Sequence, residues 1–187
     1  MPNHFYLKII LFIYYYIKEK HLKIVNRLFL FLLKLLPPME SLYDPKGNQN
    51  ILDRIDQLSP ITLSQWGKMT VSQMLMHCQK PIDLAYGTLH IAPHWKSYFF
   101  AKSYRKKLTD PKLFHKDQST IKEFIIKNEP KFEEAKQNLK NLVAVFALDG
   151  HKAIKAKRHP LMGEMTPEEW DILEWKHLDY HLKQFGV

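Results

Sequence analysis

Apolar positions recur at helical spacing in four stretches of this chain, each bounded by polar or helix-breaking residues. Asn48–Leu58 sets Ile51, Leu52, Ile55 and Leu58 on one stripe, and Ser59-Pro60 closes it. Thr70–Tyr86 carries Val71, Met74, Leu75, Cys78 and Ile82, with Thr70 as N-cap and Gln73 completing a capping box. Pro81 lies inside that pattern, so the spacing predicts a kink near Cys78 or a second short helix to Tyr86, with Gly87 as the stop. A third helix is expected from about Thr120 to Phe146; Pro130 divides it and leaves Lys131–Phe146 as the main part, with Phe132, Ala135, Leu139, Leu142 and Val143 as its core-facing set. Pro167–Gln184 has Thr166 as N-cap, Glu169 to complete a second capping box, and Gly186 just past its end.

The intervening segments read as connections. Tyr43–Gly47 is turn-like, and Asp149-Gly150 begins a loop that runs through His159-Pro160 and Gly163. Residues 88–120 form a long irregular connection between the second and third core helices, punctuated by Pro93 and Pro111. Within it His94–Leu108 forms an irregular helix rich in aromatics and lysines. No stretch alternates at strand period, so the chain predicts an all-α bundle of four main helices.

Composition changes this picture at the N-terminus. Of residues 1–38, 29 are Phe, Ile, Lys, Leu, Asn or Tyr, whereas Ala, Gly, Ser, Thr, Asp and Gln are absent. A membrane span needs roughly 18 or more apolar residues in a row. Ile9–Ile17 and Leu28–Leu36 are shorter, with Lys18, Lys20 and Lys23 between them. Leu35-Leu36-Pro37-Pro38 is a poor secretory cleavage site. A start at Met39, with AT-rich upstream DNA read as protein, accounts best for these residue types; the rival is a genuine membrane-surface segment. The domain is therefore expected over residues 39–187.

Charge and cysteine content bound the remaining possibilities. Of the net +9, residues 1–38 hold six Lys/Arg and one Glu, leaving 22 basic and 18 acidic residues in the rest. That is a mildly basic domain without the dense stripe of a nucleic-acid binder. Lys102, Arg105, Lys106 and Lys107 read as a short solvated run. Cys78 is the sole cysteine, so no intramolecular disulfide forms, and a reducing, cytoplasmic setting fits.

Ten histidines make an i,i+4 pair easy to obtain by chance. There are two such pairs. His90 and His94 are separated by Pro93, which argues for a surface loop. His177 and His181 lie inside the best-capped helix, where both rings leave one face and could converge on a metal. His77, beside Met74 on the second helix, is the best candidate for a third ligand. The alternative is that all three are ordinary side chains. Glu174, one turn before His177, orients a ligand ring or acts as a base, against the commoner reading of a solvated helix charge. Cys78 points about 100° away from His77 and reads as packing. Trp66, Trp170 and Trp175 read as core, and His159 as a loop residue or a pocket lining.

The stretch Trp66–Cys78, WGKMTVSQMLMHC, resembles the second-helix signature of the DinB/YfiT-like superfamily. His159–Gly163, Thr166–Trp170 and His177–His181 resemble the terminal motif of a branch of unknown function within it. The resemblance covers roughly Met39 to Phe185. It implies a four-helix bundle with a divalent metal (Zn, Ni or Fe) held by His77, His177 and His181. It also implies an open coordination position at which a thiol or water becomes a nucleophile, as in thiol S-transferases and some hydrolases. A small-molecule substrate follows, such as a low-molecular-weight thiol; no nucleic acid is expected, and a homodimer is compatible. Membrane contact is expected only if residues 1–38 are genuine. The reading from another class is a non-catalytic helical binding domain with a structural metal or none.

Overall fold

The computed structural model describes residues 8–11, 13–14, 40–106, 108, 116 and 120–187. The chain divides into two compact units, residues 1–37 and 38–187. In the first, the described residues 8–11 and 13–14 are helical. The run Leu28–Leu36, Met39 and Pro111 lie outside the described residues.

In the second unit, helix α1 spans Pro45–Gln57. Asp44 is its N-cap, with the carboxylate accepting from the Gly47 N–H at 2.8 Å, and Pro45 fills the first position. Tyr43–Gly47 is therefore a helix start rather than a turn. Proline's fixed φ suits a first helical residue, and its missing N–H costs nothing there. Asp171 anchors the incoming chain by accepting from Ser41 Oγ at 2.5 Å and from the Leu42 N–H at 2.7 Å.

Helix α2 spans Val71–Ala85, with both halves of the Thr70–Gln73 capping box made. It runs through Pro81 as one element, not as a helix followed by a second short one. An interior proline costs about 3 kcal/mol. The turn beyond it buries Ile82, Leu84 and Ala85, and that burial offsets the loss.

Helix α3, Lys96–Lys106, is the regular part of the 88–120 connection among the described residues. The stretch ahead of Pro130 is not the helix expected from Thr120: it holds only a 3-10 turn at Lys122–Phe124, before helix α4, Phe132–Asp149, and a second 3-10 turn covers Gly150–Ala153. On α4, Ala135, Leu139, Val143 and Phe146 are buried, while Phe132 and Leu142 are partly buried against the core. Helix α5, Pro167–Gln184, carries the Thr166–Glu169 capping box.

Helix α1 packs on α4 and α5, and α2 packs on the same two. Ile51, Ile55, Met74, Leu75, Ile82, Leu139, Phe146, Trp170 and Leu178 form the centre of the shared core. Arg54 ties α1 to the end of α5, reaching the Asp179 carboxylate at 2.9 Å and the Val187 carbonyl at 3.0 Å. Among the described residues there is no strand; His159 and Gly163 only exchange backbone hydrogen bonds at 2.8 and 3.0 Å. No described helix is long and apolar enough to cross a membrane.

Helix α3 is fastened at both ends to the loop that holds this exchange. The His94 N–H donates to the Pro160 carbonyl at 2.9 Å, and Arg105 donates to the carbonyls of Met162 and Glu164 at 2.7 Å each. Arg105 is thus an anchor and not part of a solvated run; Lys107 lies outside the described residues. A Cβ on Gly163 (φ +70°) would stand 2.8 Å from the Ala101 Cβ, so the close approach of α3 depends on glycine there.

Candidate metal centre

His77 sits two turns into α2, and His177 and His181 sit on the second half of α5. All three are buried. The His77 Nδ1 lies 2.9 Å from the Phe124 carbonyl. A carbonyl only accepts, so Nδ1 carries the proton and the Nε2 lone pair is left for another partner. That Nε2 lies 3.2 Å from the Nε2 of His177. Two nitrogens each about 2.0–2.1 Å from one ion stand about 3 Å apart, so this separation suits shared coordination. One nitrogen from each of His77, His177 and His181 lies within 4.8 Å of the other two.

The orientation of His181 is set by a relay. Its Nδ1 is 2.8 Å from the Gln184 Oε1, and the Gln184 amide nitrogen donates to the Trp66 carbonyl at 2.7 Å. The second contact fixes which end of the amide is nitrogen, so Oε1 accepts from His181 Nδ1–H and leaves Nε2 unprotonated. The Trp66-Gly67 turn is seated on the end of α5 by further contacts. The Gln65 N–H donates to the Gln184 carbonyl at 2.8 Å, and the Trp66 indole donates to the Tyr180 hydroxyl at 3.2 Å. A Cβ on Gly67 (φ +82°) would stand 2.5 Å from the Gln184 Nε2, so a side chain there would push the amide off its mark.

Burial lowers the proton affinity of all three imidazoles. For His77 desolvation outweighs the Phe124 hydrogen bond. His177 is held well below the ordinary histidine value by burial and then by His181 and His77. His181 is lowered to about 3 by burial and the His77 charge. Near neutral pH the trio is uncharged, which is the state a metal ligand requires.

Glu174 departs from expectation. It is fully buried, and neither carboxylate oxygen has a hydrogen-bond partner among the described residues. Burial, then Asp171 and Asp83, raise its carboxyl well above the usual range. A fully buried carboxyl is not the solvated helix charge that the commoner reading expects. Cys78 is packing: it is buried, its thiol faces the Met74 sulfur at 3.6 Å, and burial pushes its pKa up. Trp170 is core, Trp175 packs against the core, and Trp66 is only half-buried.

His159 is part of a turn at the far end of α5. Its Nδ1 accepts from the Leu161 and Met162 N–H groups at 3.1 Å each, its ring lies 5.4 Å from that of Trp170, and burial lowers its pKa to about 4. His90 and His94 are exposed on a non-helical segment and stay apart from the trio. Gln184 was not singled out by its sequence, although an amide three residues after His181 on the same face was a readable signal. The Phe124 carbonyl carries no residue-level signal at all.

Fold and site together define an all-helical domain with a buried cluster of three neutral imidazoles. Residues 39–186 match the family described as "Protein of unknown function (DUF1569)", and the chain belongs to that family. No curated protein and no solved structure matches the chain.

Proposed function

We propose that residues 39–187 are a divalent-metal-dependent enzyme domain of the DinB/YfiT-like superfamily, a four-helix bundle formed by α1, α2, α4 and α5. The packing of α1 and α2 each on both α4 and α5 supports the bundle, and the family match beginning at residue 39 supports the domain limit. The observation that carries the functional reading is the convergence of His77, His177 and His181, with two of the three rings anchored through Nδ1 so that Nε2 is presented. These residues would hold Zn, Ni or Fe. When bound, the metal supplies Lewis acidity that lowers the pKa of a water or thiol.

The chain's own residues do the rest. Phe124 and Gln184 hold the rings of His77 and His181 in the ligating tautomer. The three imidazoles bring no negative charge, so they do not attenuate that acidity. Transfer of a low-molecular-weight thiol to an electrophile, or hydrolysis, is the chemistry this arrangement suits. The second reading, a non-catalytic binding domain with a structural metal or none, differs in its response to chelation. On the enzyme reading, metal-loaded protein accelerates thiol-adduct formation in a dye assay; chelation abolishes this and lowers Tm only modestly. No turnover together with a large loss of Tm on chelation would favour the structural site.

A further inference from the structure

The metal centre makes no use of α3. Its sequence, KSYFFAKSYRK, contains four cationic residues and no carboxylate, and only Ser97 in it is buried. Trp95 just ahead of it is 61% exposed, Tyr98 64%, Phe99 77% and Phe100 51%. Consecutive large apolar side chains at such exposure mark an interaction surface rather than scattered surface residues. The backbone behind them is held by His94 and Arg105 on the 158–164 loop, so the aromatics stand on a fastened element. A cavity of about 290 Å³ beside them is lined by Ser97, Tyr98, Lys102, Arg105, Arg158 and Glu164 among others. In that lining the buried Ser97 Oγ and Arg158 Nε have no hydrogen-bond partner among the described residues.

We propose that α3 docks the domain on an anionic lipid bilayer. Trp95, Phe99 and Phe100 enter the boundary between headgroups and acyl chains, and Lys96 and Lys102 meet the headgroup phosphates. Aromatic anchors and cations on one short helix are the composition of an interfacial segment, which lies on a membrane and does not span it. Charge decides against two other occupants. A second copy docking α3 on α3 would set Lys96 and Lys102 against the same two cations of the other copy. Single-stranded nucleic acid binds where cations track a groove beside the stacking rings, whereas Glu164 and Glu169 already engage Arg158 and Arg105 here.

The test is co-sedimentation of the full chain with phosphatidylcholine vesicles, with and without phosphatidylglycerol, in low salt. Binding is expected only with phosphatidylglycerol, and equally with and without chelator, so failure of the metal reading would leave this result intact. Lys96→Gln and Lys102→Gln are each expected to weaken binding about fivefold. The exposed double substitution Phe99→Ser with Phe100→Ser is expected to weaken it at least about tenfold, with an unchanged circular dichroism spectrum. Unchanged binding in these variants would assign the membrane contact to another part of the chain and overturn the proposal. So would indifference to phosphatidylglycerol, or vesicle binding that is absent while the serine variant loses self-association or RNA binding.

Discussion

Gln184 shows how much of the site rests on a single amide. It accepts from His181 and donates to the Trp66 carbonyl, so one side chain fixes the His181 tautomer and pins the turn before α2 to the end of α5. Such outer contacts contribute about 10–100-fold in metal affinity. Gln184→Leu keeps the volume and removes both bonds; competition with a chelating dye is expected to show a loss in that range, and unchanged affinity would remove Gln184 from the site. At this scale the sequence was readable for histidines and misleading for Glu174. Charged side chains are mostly solvated, which favoured the wrong reading, whereas burial and the nearby Asp171 and Asp83 raise this carboxyl well above the usual range.

Among the elements, α2 and α5 were legible because each opens on a capping box, a signal written within four adjacent residues. Helix α1 carried an equally local signal, Asp44-Pro45, that a turn reading also satisfies. Helix α3 was poorly legible for a physical reason. It buries almost no stripe of its own and depends on carbonyls of a loop more than fifty residues away, reached by Arg105. The same holds for Gly67 and Gly163, whose need for glycine comes from Gln184 and Ala101 rather than from neighbouring sequence.

At the scale of the whole molecule, buried titratable groups pull stability in opposite directions with pH. The lowered histidines bind fewer protons folded than unfolded. Their contribution is complete above the unfolded value near 6.5 and is lost as pH falls from there toward about 3 for His181. Glu174 has the opposite sign. Its raised folded pKa means that stability is lost as pH rises above the unfolded value of 4.5. Urea unfolding of metal-free protein should therefore show Glu174→Gln gaining on the wild type as pH rises above 4.5. Parallel stability curves would contradict the raised, buried carboxyl.

The central claim is that three imidazoles from two helices hold one metal ion. Elemental analysis of untagged protein, purified without chelator, tests it most directly. Near-stoichiometric divalent metal is expected in the wild type, with its loss in His177→Ala at retained helicity. Equal metal content in the two proteins, or none in the wild type after incubation with Zn, Ni and Fe, would contradict the claim.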